Sequence, residues 1–152
     1  MAVVLRRAFV AASLVWAPLL VVVPFLASRA HASNLATVTV VAVYGMGSLV
    51  CHQLPERSYR LWAAQMPVCA RCAGIYAGAA LAALAAMAAA ARPAVRRARL
   101  ILAGAVAPSL LTLVYEWTAG RAPANAIRFA AGLPIGVAVA WLIVAAAEDQ
   151  VN

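Results

Sequence analysis

Long apolar runs broken by brief polar segments set the pattern of this chain. Five stretches carry almost no charge: residues 8–28, 35–50, 73–91, 100–118 and 124–147. Crossing a bilayer takes roughly 17–25 apolar residues per helix. The second run is the shortest and reaches that length only by borrowing residues 32–34. The pattern predicts an all-α integral membrane bundle of about five transmembrane helices, a single domain over residues 1–152. The joining segments are too short for a separate soluble domain, and residues 51–72 form a polar loop between the second and third runs.

Four prolines, Pro18, Pro24, Pro108 and Pro134, fall inside these runs. Membrane helices tolerate them where neighbours satisfy the freed carbonyls. Gly74 and Gly78 continue into Ala82 and Ala86, and Gly132 and Gly136 repeat the spacing. Small residues four apart let helix backbones approach closely, so packing is the expected use of both stripes. The first run has a rival reading. Arg6-Arg7, an apolar run and Ala30-His31-Ala32 have the order of a secretory signal with its cleavage site, and Arg-Arg-Ala-Phe is faintly like a twin-arginine signal. The run of about 20 residues exceeds the usual signal core of roughly 7–15, which favours a retained helix.

Composition agrees with a membrane protein. Hydrophobic residues make up 67% of the chain and charged residues 11%, with mean hydropathy +0.95; soluble domains run about 45–50% and about 25%. The net charge of +8 comes from arginines gathered mostly at helix ends. There they meet lipid headgroups, so nucleic-acid binding is not expected. With five crossings, one side collects Arg6, Arg7, Arg57, Arg60, Arg71, Arg121 and Arg128, and the other Arg29, Arg92, Arg96, Arg97 and Arg99. The positive-inside rule then places the polar loop on the cytoplasmic side of a bacterial cytoplasmic membrane. If the third and fourth runs both cross, that loop shares a membrane face with residues 120–123. Glu116, Arg121, Asn125 and Arg128 are thereby brought toward it.

The chemistry is concentrated in CHQLPERSYRLWAAQMPVCARC, residues 51–72, which holds all three cysteines of the chain. Their arrangement is C-H-x16-C-x2-C. A C-x2-C pair places two thiolates within reach of one tetrahedral ion, and a distant Cys or His completes the set. The expected ligands of a zinc-like transition metal are therefore Cys51, His52, Cys69 and Cys72, with Glu56 as a substitute for the histidine. The same cysteines permit a second chemistry, a Cys69/Cys72 dithiol cycling with a disulfide and using Cys51 as relay, with Arg71 between the pair favouring the thiolate. Packing as small hydrophobes is the third possibility. A c-type haem attachment is excluded because Ala73 stands where that motif needs histidine. Glu116 sits among apolar residues near the end of a run, where a carboxylate must pair with a cation or face a cavity. Arg128 or Arg121 is the expected partner.

Two segments, C-H-Q-x-P-E-R-S and P-V-C-A-R-C-A-G-I-Y-A-G, resemble the signature of the DUF2085 family. Its members are small predicted membrane proteins of bacteria and archaea with no assigned reaction. The likeness runs over residues 43–137, and Pro24-Phe25-Leu26-Ala27 is weakly similar. Downstream it is carried by Pro108, Glu116, Asn125, Arg128, Gly132 and Gly136. Where many relatives read Asp-Gly followed by a Gln, this chain has Glu116-Trp117.

The residues together predict a metal site rimmed by Arg57, Arg121, Asn125 and Arg128, which suit an anionic small molecule or lipid headgroup through bidentate hydrogen bonds. Glu56 and Glu116 are the candidate catalytic acids. A membrane thiol-disulfide oxidoreductase is one alternative. A small transporter, with Glu116 and Arg128 lining a path, is the other.

Overall fold

The computed structural model describes residues 2–29, 33–88 and 97–149. Five helices account for most of them: α1 (Ala2–Ala27), α2 (Asn34–Val50), α3 (Ala70–Ala88), α4 (Ala98–Ala119) and α5 (Asn125–Asp149). Four of these, all but α2, are long and apolar enough to cross a membrane. The Ala30-His31-Ala32 signal motif lies outside the described residues, as do Arg92 and Arg96. Helix α1 is packed into the bundle, with Leu20 and Val23 buried in the core beside Val43 of α2.

Helix α2 departs from a simple crossing. The rings of Trp16 and Tyr76 meet at 6.0 Å, and Arg6 Nη2 donates to the Ala86 carbonyl at 3.5 Å. So α1 runs antiparallel to α3, starting at the end away from the cysteines. It finishes at the cysteine end, where Phe25 meets Trp62 at 5.4 Å. Helix α2 then folds back along α1. Val40 and Val43 join the cluster of Leu20 and Val23, while Met46 and Val50 line a groove with Ala12 and Trp16. Its last turn lies below the polar end, and from Cys51 the chain turns back toward the end from which α2 entered. The second run is thus a re-entrant helix. Seventeen residues at 1.5 Å each, about 25 Å in all, fall short of a bilayer core of about 30 Å.

This geometry corrects the arginine count. Arg6 lies at the end opposite the cysteines and Arg29, seated over the Phe25 ring at 4.5 Å, lies at the cysteine end. The five-crossing count has both reversed.

The polar loop also has more structure than its sequence shows. A 3-10 turn at Pro55–Arg57 leads into a short antiparallel hairpin, β1 (Arg60–Leu61) and β2 (Ala64–Gln65), with Arg60 opposite Gln65. Its two turn residues, Trp62 and Ala63, have φ of 50° and 66°. That is the backbone of a type I′ hairpin turn, which normally carries Asn-Gly. No turn residue announces it, so the sequence reads as loop. Ala63→Gly relieves a left-handed alanine and should stabilise the protein by about 1 kcal/mol, measurable as a rise in unfolding midpoint.

Helices α3 and α5 form the closest pair, and they run parallel. The backbone carbonyls of Phe129 and Leu133 press on Gly74 and Gly78, and those of Arg71 and Ile75 press on Gly132 and Gly136. The two glycine stripes interlock reciprocally, which is the packing their spacing predicts. Helix α4 packs against α5 and is closed by Gly120 in the left-handed conformation, φ 63°.

Candidate metal centre and its arginine flank

Cys51 is the C-cap of α2, with extended backbone (φ −146°, ψ 138°), while Cys69 immediately precedes α3 and Cys72 lies in its first turn. The re-entrant path brings the three together: all sulfur atoms lie within 4.8 Å of one another. The backbone N–H of Cys69 donates to Cys51 Sγ at 3.1 Å. All three are free thiols. A hydrogen bond from the Cys72 thiol, helped by the backbone N–H groups of Cys72 and Arg71 and by Cys51, holds the Cys69 thiol below the usual thiol range against the opposing effect of burial.

His52 does not join them. In extended backbone successive side chains point to opposite faces, so burying Cys51 turns its neighbour outward, and His52 is exposed. Glu56 sits exposed on the 3-10 turn. Neither belongs to the cluster, so the four-ligand set is corrected to three cysteines. Among the described residues no other group of histidines, cysteines and acids gathers closely enough to hold an ion.

Two glutamines hold the return path in place, and sequence reasoning missed both. Non-helical backbone at membrane depth must have its carbonyls satisfied by protein. Gln53, at φ 49°, donates from Nε2 to the carbonyls of Tyr44 at 2.9 Å and Pro67 at 2.7 Å. Gln65 Nε2 donates to the Gln53 carbonyl, and the Tyr44 hydroxyl donates to that of Gln65. Gly47 permits the approach: a Cβ there would collide with the Pro67 carbonyl and come 2.8 Å from Gln53 Nε2. The glutamine in C-H-Q was the available signal.

Beside the cysteines lies a second cluster. Glu116 is 8% exposed and Arg128 2%. Arg128 Nε and Nη2 each stand 3.0 Å from Glu116 Oε1, so the expected pair exists. Arg71 Nη2 reaches the same oxygen at 3.2 Å, and Arg57 Nη1 lies 3.5 Å from Oε2. Arg71, expected to act on the thiols flanking it, instead reaches away to α4. It donates to Thr112 Oγ1 at 2.8 Å, and Thr112 in turn donates to the Ser109 carbonyl at 2.8 Å. Ser109, Thr112 and Glu116 form a buried polar stripe on α4, and Ser109 Oγ donates to the Ala131 carbonyl of α5 at 2.8 Å. Asn125 Nδ2 donates to the Ser58 carbonyl at 3.2 Å, tying the loop to α5. Arg121 is exposed, and its Nε donates to the Tyr115 hydroxyl at 3.1 Å. It is therefore not the partner of Glu116.

The DUF2085 family, described as "Predicted membrane protein", matches residues 51–142, from the first cysteine into the second half of α5. Over 55 residues the chain is 42% identical to an uncharacterised protein of Methanocaldococcus jannaschii, covering 36% of this chain and 35% of that one. It is 33% identical over 93 residues to an uncharacterised protein of Methanothermobacter thermautotrophicus, covering 61% of this chain and 83% of that one. The chain thus spans about a third of the length of the first relative. Both relatives are archaeal, so the bacterial membrane expected from sequence gains no support from them. No solved structure matches. The matched region contains the three cysteines, Glu116 and all three arginines around it, and the chain belongs to the DUF2085 family of predicted membrane proteins.

Proposed function

We propose that this membrane protein binds a zinc-like transition metal through the thiolates of Cys51, Cys69 and Cys72, leaving the fourth position to a ligand from outside the chain. The observation that supports it is the mutual approach of three sulfurs within 4.8 Å. Tetrahedral zinc with Zn–S bonds of about 2.3 Å places its sulfurs about 3.8 Å apart, a spacing that small side-chain rotations here supply. The Cys69 N–H on Cys51 Sγ stabilises the charge that a thiolate brings. Three protein ligands and an open position are the arrangement of zinc sites that do chemistry, whereas structural sites close all four.

Elemental analysis of the purified protein tests this. One metal per chain is expected, falling to about a tenth or less in Cys69→Ser and Cys51→Ser, since losing a group that merely hydrogen-bonds a ligand already costs about 10–100-fold in affinity. His52→Ala should retain the metal in full. Thiol counting on the same samples separates the alternative. Absence of metal together with a reversible Cys69–Cys72 disulfide would replace coordination by thiol–disulfide exchange. The transporter reading has less behind it, because Glu116 and Arg128 engage each other.

A further inference from the structure

Three guanidinium groups, permanently charged, converge on the single carboxylate of Glu116. The cluster therefore holds two positive charges with no protein counterion among the described residues. Burying unpaired charge is costly, and so is each buried donor without an acceptor. Three such donors occur here: Arg57 Nε, Arg71 Nε and Arg128 Nη1 are buried and make no hydrogen bond. They are the only buried side-chain nitrogens or oxygens among the described residues in that state. Arg128 is itself 2% exposed. The parallel arrangement of α3 and α5 adds to this, since Arg71 and Arg128 both lie in the first turns of their helices. The positive ends of two helix dipoles then face the same region.

We infer that the Arg57–Arg71–Arg128 cluster binds an oxyanion of the phosphate class, with Glu116 holding the arginines in register. The orphaned N–H donors are of the kind that phosphate oxygens accept from, and arginine engages such oxygens in pairs. Arg57, 40% exposed along its side chain, is the route by which the anion enters. On the other side Thr112, bonded to Arg71, also lines a groove of about 570 Å³ shared with Leu111, Tyr115, Arg121, Pro123 and Ile127. Its apolar walls and cationic rim would accommodate the chains of a lipid, so the phosphate group has two possible sources. The site uses none of the three sulfurs, although Arg71 touches both clusters, with its backbone N–H on Cys69 and its guanidinium on Glu116.

The test uses the full chain in maltoside detergent, stripped of lipid. It is titrated with sodium phosphate against sodium chloride at constant ionic strength, then with mixed micelles of phosphatidylglycerol or phosphatidylcholine. A saturable rise in unfolding midpoint with phosphate is expected, weakened about tenfold in Arg57→Gln, the effect of one charge-assisted hydrogen bond. Arg60→Gln, exposed on the hairpin, should leave the response unchanged. If a lipid supplies the group, phosphatidylglycerol stabilises at far lower concentration and displaces phosphate. If free phosphate is the ligand, the lipid adds nothing. Glu116→Gln leaves three cations without a counterion, so phosphate should rescue this variant by more than it stabilises the wild type. Equal midpoints in phosphate and chloride with no effect of phosphatidylglycerol overturn the inference. So does an undiminished response in Arg57→Gln, or a destabilised Glu116→Gln that phosphate does not rescue.

Discussion

Glu116→Ala is expected to cost about 3–5 kcal/mol, the loss that follows when one partner of a buried ion pair is removed. Natural domains hold only about 5–15 kcal/mol in reserve, so the loss should appear as a large drop in unfolding midpoint. The reason lies in an asymmetry of the cluster. Removing any one arginine still leaves the carboxylate two cationic partners. Removing the carboxylate leaves Arg57, Arg71 and Arg128 facing one another with no counterion. Arg71→Met should therefore be distinctly milder, losing its bonds to Thr112 and Glu116 while the Arg128–Glu116 contact remains. Unfolding midpoints of both variants in the same detergent decide the matter. Equal losses would mean that Glu116 is one contact among several and not the shared counterion.

A bulky residue at Gly136 should be as damaging for a steric reason. A Cβ there would overlap the Ile75 carbonyl and sit 2.7 Å from the Ala79 backbone nitrogen. Neither atom belongs to a flexible side chain, so α3 and α5 must separate. Gly136→Leu is expected to cost about 3 kcal/mol or more, the upper part of the range for overpacking. Gly104→Leu is the control, because a Cβ at Gly104 meets nothing within 4 Å; a change within about 0.5 kcal/mol is expected there. The two substitutions add the same side chain to a membrane helix, so a difference between them reports the interface. Separation of α3 from α5 also displaces Arg71 from Arg128, so Gly136→Leu should lose the phosphate response along with stability. A variant that folds and keeps that response would show that the glycine stripes do not set the arginine register.

Much of the site was legible in the chain, and the missing parts share one cause. The Cys69/Cys72 pair and its third sulfur could be read from spacing, because two residues between thiols bring them together on any helix start. The Glu116–Arg128 pair could be read from the cost of an isolated carboxylate in an apolar run. His52 was misplaced because adjacency in sequence is not adjacency in space: extended backbone at Cys51 turns the next side chain away. Arg71 was assigned to the cysteines flanking it, although its long side chain crosses to α4. Arg121 was offered to Glu116 on position alone, while Tyr115 takes its Nε–H.

Hydropathy by itself determined that this is a helical membrane bundle, because an apolar run in lipid has no other way to satisfy its backbone. Spacing by itself determined that Cys69 and Cys72 sit together and that two glycine stripes pack. Only the tertiary structure decided that α2 turns back within the membrane, since 17 apolar residues are compatible with crossing or returning until their neighbours are known. It likewise decided that the sulfur cluster holds three cysteines without His52 and that three arginines share one carboxylate. Both depend on contacts between elements far apart in the chain, for which local sequence carries no signal.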